Sequence, residues 1–411
     1  MTDWRRGRSL AVAAVAVLLV AGGCSSDDDA TPATTTVAEG ETTTTGATDP
    51  TPDGDDEARA QLTAWSERGP YGVGSQQLAL GDGRRVVVWY PAEAGAGTEE
   101  PTETFDIASL LNPDLQSQIP ADFRVQYPIA ARPGAAPDPS GGPYPVVLFS
   151  HGFAGFPEQS ADLTTHLASW GYVVAAPDHV ERSLSGLLGT AREGVPESEG
   201  PDVLAATLDL VAAQAEEGDS PLADMVDTET VAVAGHSAGA GAAYRLASSD
   251  DRIDAFAAYS VGAGREGNAR PDAPGLPGLV MLGERDGIIP PDATRDVYDG
   301  LSAPRYLAEV PDSGHLVFSD ICLMGAEKGG LIGIANEIGL DIPEEFKALG
   351  SDGCDDSEYL NTAEAFPAID SISVGFLETY LRDDAAAADA LAAWPDDGLD
   401  GGPTVTLTVD A

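Results

Sequence analysis

The chain has 411 residues, 43% of them hydrophobic, and carries 21 Lys and Arg against 68 Asp and Glu, which gives a net charge of −47. This length and apolar content suffice for one large domain or two smaller ones with a real core. The strong negative charge argues against nucleic acid and anionic lipid surfaces as partners, because both would repel the chain.

The N-terminus has the pattern of an export signal that ends in a lipidation site. A basic segment, Trp4–Arg8, precedes an apolar stretch over Leu10–Ala21, and Cys24 follows small residues. The stretch is short for a membrane span but typical of a signal h-region. It resembles a bacterial lipoprotein signal, so we predict a signal peptide over 1–23 and a lipid on Cys24 that anchors the exported protein at the outer face of the cell membrane. Plain secretion is the alternative, and the basic segment permits Sec or twin-arginine export.

A linker follows the lipidation site. Residues 24–57 are rich in Thr, Asp, Pro and Gly and contain almost no large apolar side chain. Such a stretch cannot bury enough surface to offset its chain entropy. We therefore predict a flexible tether there, followed by one catalytic domain over residues 58–411.

The cysteine count fits an exported protein. The chain has three cysteines, so a lipid on Cys24 leaves Cys322 and Cys354 as a pair. Outside the cytoplasm an even remainder predicts a disulfide, and two free buried thiols are the alternative.

From residue 58 onward, predicted strands and helices alternate. Runs of β-branched and aromatic residues predict strands at Arg85–Tyr90, Val146–Ser150, Tyr172–Ala176, Thr230–Ala234, Phe256–Tyr259, Leu279–Leu282 and Tyr306–Val310. Apolar residues at helical spacing predict helices over Ser160–Trp170, near Val203–Ala215, directly after Ser237, and over Ile369–Tyr380 as an amphipathic last helix. Continuous apolar strands separated by helices indicate an α/β fold with a mostly parallel central sheet covered by helices on both faces.

The ends of four predicted strands carry polar motifs. Val146–Ser150 leads into "HGFAG", Thr230–Ala234 into "GHSAG", Leu279–Leu282 into "GERD", and the strand ending at Val310 into "DSGH". Sites in such sheets form at the carboxyl ends of strands. The order Ser, Asp, His, each after a strand, is the chain order of the α/β-hydrolase triad.

The chemistry of an activated serine selects the triad members. Ser237 needs a base within hydrogen-bond reach, and that base must be a histidine held by a carboxylate. Of the five histidines only His315 follows the serine in the chain, and His236 is expected to point away across the turn. Asp286 and Glu284 compete as the carboxylate, and we favour Asp286 because it lies further past its strand.

The glycines around Ser237 also have a predicted reason. A sharp turn leaves no room for side chains two residues on either side of the serine, where Gly235 and Gly239 stand. The amide of Ala238 then points into the space above Ser237 and, with the amide of Phe153, forms an oxyanion hole.

The motifs resemble a known superfamily from about Gly69 to Asp383. The stretches that carry the resemblance are "YPVVLFSHGFAG", "LASWGYVVAAPDH", "VAVAGHSAGAG", "GERDGIIP", "SGH" and "SISVGFLETYL". They are similar to the α/β-hydrolase superfamily and, within it, to the platelet-activating-factor acetylhydrolase and bacterial cutinase-like polyester hydrolase group. The resemblance implies Ser237 as nucleophile, Asp286 as acid, His315 as base, and Phe153 and Ala238 as amide donors.

Two departures from the cutinase-like pattern favour the acetylhydrolases. The loop Tyr259–Gly267 lacks the aromatic clamp Trp of the cutinase-like enzymes, and the segment after His315 is longer, as it is in the acetylhydrolases. That segment, residues 316–365, is either a lid over His315 or a cover for the sheet edge, and we favour the cover. Two Pro/Gly-rich stretches, 94–144 and 185–201, are predicted loops near the site face.

These features predict a serine carboxylic-ester hydrolase that acts through an acyl-enzyme on short-acyl or lipid-like esters. The alternatives are a surface lipoprotein that uses the fold only for binding and, among enzymes, a polyester hydrolase or thioesterase. The chain has no metal-ligand cluster and no phosphate-binding glycine loop, so no metal or cofactor is predicted. The oligomeric state is left open.

Overall fold

A computed structural model describes residues 54–97, 103–262, 264–265, 268–269 and 271–411. The predicted signal peptide, Cys24 and almost all of the predicted tether lie outside the described residues. None of the helices in these ranges combines the length and apolar character that a membrane span requires.

The strands, in chain order, are β1 (Gly72–Ala79), β2 (Arg85–Ala92), β3 (Glu103–Asp106), β4 (Gln126–Ile129), β5 (Arg132–Pro133), β6 (Tyr144–Ser150), β7 (Val173–Pro177), β8 (Val226–His236), β9 (Ala255–Tyr259), β10 (Gly264–Arg265), β11 (Asn268–Ala269), β12 (Gly278–Gly283), β13 (Arg305–Val310) and β14 (Thr406–Asp410). The helices are α1 (Gly54–Ser66), α2 (Pro113–Gln116), α3 (Ala161–Ser169), α4 (Leu184–Leu187), α5 (Gly200–Glu216), α6 (Ala238–Ala247), α7 (Pro291–Asp299), α8 (Gly330–Glu337), α9 (Glu344–Leu349), α10 (Thr362–Leu381) and α11 (Ala385–Ala392). Short 3-10 helices span Ile107–Leu110, Ala121–Phe123, Pro157–Ser160, His315–Phe318, Asp320–Cys322 and Ala326–Lys328.

Ten strands form one sheet in the order β14-β13-β12-β9-β8-β6-β7-β2-β1-β5. The central strands from β13 to β7 pair in parallel, and antiparallel pairs join β7 to β2, β2 to β1, and β13 to β14. Because the central strands are buried on both faces, their sequences are continuous apolar runs rather than alternating ones. The mostly parallel sheet predicted from those runs is confirmed.

Helices cover both faces of the sheet. On β6, Val147 and Phe149 join the core that contains residues of α3 and α10, whereas Val146 and Leu148 join the core on the side of α5 and α6. Successive side chains of a strand point to opposite faces, so one apolar run serves two cores. The parallel register pairs Ser150 with Gly235 and Gly283 with Val310, which brings the motif-bearing strand ends to one edge.

The structure corrects several boundaries predicted from the sequence. Helix α1 begins at Gly54, so residues 54–57 of the predicted tether belong to a helix, and Leu62 and Trp65 of that helix are fully buried. The helix predicted as the last one is α10, and both α11 and the antiparallel strand β14 follow it. Helix α11 consists mainly of alanine, which gives little hydrophobic periodicity to read. The stretch predicted as a loop over 94–144 contains the paired strands β3 and β4.

The segment over residues 316–365, called the post-histidine segment below, folds into 3-10 turns followed by α8 and α9. Helix α8 packs mainly on the turns Asp320–Cys322 and Ala326–Lys328 of the same segment. Its residue Ile334 is buried in the core on the α3 and α10 side. The apolar residues of α8 therefore pack inward through Ile334, and the predicted cover for the sheet edge stays a prediction.

The predicted disulfide is confirmed: Cys322 and Cys354 are joined within the post-histidine segment, 32 residues apart in sequence. On the loop-entropy account, closing a loop of this length stabilises the native state by about 3–4 kcal/mol. We expect the double variant Cys322→Ser and Cys354→Ser to lose a free energy of unfolding of that order in urea titrations. Reductant should lower the urea midpoint of the wild type and leave that of the double variant unchanged. Equal urea midpoints for the two proteins without reductant would contradict the prediction.

A cluster of carboxyl groups fixes the start of the post-histidine segment to α3. Asp320 accepts hydrogen bonds from the Tyr127 hydroxyl at 2.6 Å and from the backbone N–H of Asp162 at 3.1 Å. The Asp162 carboxylate in turn lies 3.3 Å from Arg68. Burial, together with the negative charge of Asp162, raises the pKa of Asp320 to about 7. Burial likewise raises the pKa of the neighbouring Asp370 well above its ordinary value.

These raised pKa values make stability depend on pH. Native Asp320 binds its proton more tightly than the unfolded chain does, so the stability contributed by its protonated form is fully present below pH 3.8, the ordinary Asp pKa, and is lost progressively as pH rises to about 7. We expect Asp320→Asn, which stays neutral, to raise Tm at pH 8 by roughly 2–4 °C and to raise it less at pH 5. Calorimetry at both pH values measures this, with the exposed Asp341→Asn as control. A lower Tm for Asp320→Asn at pH 8 would refute the account.

Candidate active site

The turn between β8 and α6 presents Ser237. Its backbone has φ +58° and ψ −119°, a conformation that is rare for any residue with a side chain. The Ser237 N–H donates to the carbonyl of Tyr259 at 2.9 Å, and its carbonyl accepts from Gly241 N–H at 3.1 Å. The neighbouring strand and the first turn of α6 therefore hold the strained residue in place.

The two glycines of the motif are required by close backbone contacts. A Cβ at Gly239 would lie 1.9 Å from the carbonyl oxygen of Ser150, and one at Gly235 would lie 2.5 Å from the carbonyl carbon of Gly239. No side chain fits at either position. The end of β6 and the start of α6 thus pack directly on the turn that carries Ser237.

Three predicted residues meet at the edge of the sheet. His315 Nε2 lies 2.9 Å from Ser237 Oγ, and His315 Nδ1 lies 2.8 Å from Asp286 Oδ2. A carboxylate only accepts, so Nδ1 donates to Asp286 and Nε2 is left to accept the proton of Ser237. The competing Glu284 is exposed, whereas Asp286 and His315 are buried.

Asp286 is kept ionised by its own loop. Its Oδ1 accepts from the backbone N–H groups of Ile288 and Ile289, both at 2.8 Å. Burial alone would raise the pKa of Asp286, but the hydrogen bond from His315 and the two backbone donors outweigh burial and hold this pKa below its ordinary value. A negative charge therefore stands behind the His315 ring at neutral pH.

Two backbone N–H groups belong to residues next to Ser237 in the chain or in the loop beside it. Ala238 is the first residue of α6, and Phe153 follows Gly152 in the loop after β6. A Cβ at Gly152 would lie 3.4 Å from Cβ of Ser237, so this loop runs directly beside the serine. Within the part of the chain that the structure describes, neither Phe153 N–H nor Ala238 N–H has a protein acceptor. Both donors remain available to a ligand.

A hydrogen-bond chain that the sequence analysis missed ties the site loops together. Gly152 N–H donates to Gln159 Oε1 at 3.0 Å, and Gln159 Nε2 donates to His236 Nδ1 at 2.7 Å. His236 Nε2 then donates to the backbone carbonyl of His315 at 2.9 Å. Burial lowers the pKa of His236 to about 3, which keeps its ring neutral and able to both accept and donate. Both ring nitrogens of His236 thus bond to groups other than Ser237, and nothing in the sequence marked Gln159 as a partner of this ring.

The post-histidine segment reaches the same loop with an aromatic side chain. Phe346 of α9 stacks on Phe153 with ring centroids 5.8 Å apart and an interplanar angle of 16°. Both rings are half-buried. Among the described residues, no group of His, Cys, Asp or Glu side chains is arranged to hold a metal ion.

A comparison with known proteins places the site in context. Residues 135–320 match a protein-family model described as PETase: PET hydrolase-like. The matched stretch includes the three residues of the hydrogen-bonded trio and ends just before Cys322. No curated protein matches the chain. Together with the sheet, the family match confirms the predicted α/β-hydrolase fold and supports an ester hydrolase in general.

Proposed function

We propose that the protein is a serine carboxylic-ester hydrolase that works through an acyl-enzyme intermediate. The observation that carries the proposal is the continuous line of hydrogen bonds from Ser237 Oγ through His315 to Asp286, at 2.9 and 2.8 Å. This line supplies a nucleophile, a base in the right tautomer and a charge that stabilises the protonated base.

In the proposed reaction, Ser237 Oγ attacks the ester carbonyl carbon while His315 Nε2 takes the hydroxyl proton. The N–H groups of Phe153 and Ala238 donate to the oxygen that becomes negative in the tetrahedral intermediate. The alcohol leaves with the proton from His315, and the acyl group stays on Ser237. A water molecule, deprotonated by His315, then attacks the acyl carbon. The bond from that carbon to Ser237 Oγ breaks, His315 returns the proton to Oγ, and the acid is released. Asp286 stabilises the imidazolium in both halves.

For the substrate, we propose short-acyl or lipid-like esters. The ring of Phe153, whose own N–H is one of the two free donors, stacks on the ring of Phe346. We propose that this apolar pair, called the acyl wall below, contacts the acyl chain. The long segment after His315 is the feature shared with the acetylhydrolases. A polyester hydrolase is the second candidate, and the match over residues 135–320 favours it.

A fluorophosphonate probe and an ester panel test the proposal. We expect the probe to label wild type and not Ser237→Ala. In a series from acetyl to palmitoyl esters, kcat/KM should depend on acyl length, and Phe346→Ala should shift that dependence while probe labelling persists. Release of soluble acids from a polyester film above the rate for short esters would favour the second candidate. Absence of both labelling and turnover would indicate a binding protein.

We also propose that the protein is exported and held at the outer face of the membrane by a lipid on Cys24. The N-terminal sequence pattern supports this proposal. Cys24→Ser should leave unprocessed precursor or release the protein from the membrane fraction, as seen by fractionation and intact-mass analysis. Unchanged processing and membrane retention in Cys24→Ser would count against the anchor.

A further inference from the structure

Asp352 of the post-histidine segment contacts both loops that carry the acid and the base. Its Oδ2 accepts from the backbone N–H of His315 at 2.6 Å and from the backbone N–H of Gly287 at 3.1 Å. Its own carbonyl accepts from the N–H of Leu316 at 3.1 Å. One carboxylate oxygen therefore bridges the residue after the acid and the base itself.

The bridge completes the hydrogen bonding of the acid loop. Asp286 accepts from the N–H groups of Ile288 and Ile289. The N–H of Gly287, the residue directly after Asp286, donates to Asp352. Three consecutive N–H groups are thus taken by two carboxylates. Without Asp352, the N–H of Gly287 has no such acceptor, so the peptide between Asp286 and Gly287 is no longer held in place. The position of Asp286 depends on that peptide.

The backbone of the loop that leads into His315 also touches the backbone of the post-histidine segment, with no side chain between them. A Cβ at Gly314 would lie 2.5 Å from Cα of Gly353. Gly353 itself has φ +89°, which favours glycine. The residue before His315 and the residue after Asp352 can approach this closely only because both are glycine.

The chain beyond Asp352 makes further contacts with the same loops. The Arg285 guanidinium lies 4.5 Å from the ring centroid of Tyr359 and donates to the carbonyl of Glu358. The N–H of Leu360 donates to the carbonyl of Asp312 at 2.8 Å. The stretch from Asp352 to Leu360 therefore fastens the acid loop to the loop that leads into the base.

We propose that Asp352 is a positioning residue that holds Asp286 and His315 at their working separation. The inference rests on the proposed function, because it concerns how that triad is aligned. The disulfide between Cys322 and Cys354 lies two residues from Asp352 and keeps it against the loops. Asp352 and the stretch from it to Leu360 lie beyond residue 320, outside the stretch matched by the family model, whereas Asp286 and His315 lie inside it.

A positioning role affects turnover more than substrate binding, since Asp352 contacts the loops and not the acyl wall. We expect Asp352→Ala to lower kcat by roughly 10- to 100-fold with KM little changed, the usual effect of a small misplacement. Asp352→Asn should keep kcat close to wild type, because its amide oxygen accepts from the same two N–H groups. Asp341→Ala, which removes an exposed acid of the same segment, is the matched control and should leave kcat unchanged.

A second readout does not depend on turnover. The proton shared by His315 Nδ1 and Asp286 gives a low-field resonance in proton NMR, and we expect it in wild type and Asp352→Asn but broadened or lost in Asp352→Ala. Should Asp352→Ala not fold, Asp352→Ser takes its place, since its shorter side chain cannot reach both N–H groups. An unchanged kcat and resonance in the variant that lacks the acceptor would overturn the inference.

The two proposals fail separately. If wild type neither labels nor hydrolyses esters, the proposed function is wrong, while the resonance still decides whether Asp352 aligns the pair. If wild type is active and Asp352→Asn loses as much kcat as Asp352→Ala, the acceptor role is wrong and the proposed function stands.

Discussion

Ser237→Ala and His315→Ala are each expected to lower kcat for ester hydrolysis by roughly 10⁴- to 10⁶-fold, and the double variant should lose little more. In the proposed mechanism the hydroxyl and the imidazole act on one proton, which Nε2, 2.9 Å from Oγ, takes as the bond to carbon forms. Removing either partner leaves only the N–H donors and substrate binding. Initial rates on a short-acyl ester, with active protein quantified independently, measure the effect.

Circular dichroism and Tm provide the control, because His315 is buried and these measurements show whether each variant keeps the wild-type fold. Losses that multiply in the double variant would show that the two residues act independently. Activity of Ser237→Ala close to wild type would place the nucleophile elsewhere.

Asp286→Asn is expected to lower kcat by roughly 10³- to 10⁴-fold. The amide can offer an N–H where the carboxylate oxygen accepts from His315, which favours the tautomer with Nε2 protonated and unable to take the proton of Ser237. The loss of charge also removes the group that stabilises the imidazolium. The effect should appear in kcat at every pH, since the lowered pKa of Asp286 keeps the wild-type carboxylate ionised across the working range.

Glu284→Gln is the matched control for this substitution. Glu284 lies two residues earlier in the same loop and is exposed, so kcat should stay within about 2-fold of wild type, as is usual for surface substitutions. The reverse pattern, with Glu284→Gln inactive and Asp286→Asn active, would move the acid to Glu284.

The sequence predicts the centre of the sheet well because the physics there is local. Buried parallel strands have to be apolar along their whole length, so "VVLFS" and "VAVAG" reveal their strands directly. A turn as sharp as that at Ser237 excludes side chains, so Gly235 and Gly239 mark it. Where structure follows from a steric or periodic rule within a few residues, the sequence suffices.

The contacts between loops follow no such rule. Gln159 and His236 are 77 positions apart in the chain, and Asp352 and His315 are 37 apart. No regular spacing in the sequence predicts either hydrogen bond. Strand β1 was missed for a different reason: its second half alternates exposed and half-buried residues such as Gln76 and Gln77, which weakens the apolar pattern. Long-range hydrogen bonds and polar strands near the end of the sheet are decided by the assembled fold.

The last strand of the chain has a bearing on how the protein behaves in concentrated solution. β14 pairs antiparallel with β13, and its Asp410 carboxylate meets Arg305 at 2.9 Å. A chain cut before Thr406 would present the backbone donors and acceptors of β13 as an open edge, which invites strands of other molecules. β14 thus moves the edge of the sheet from the largely buried strand β13 to a strand with exposed polar side chains, and we expect a chain cut before Thr406 to aggregate more readily.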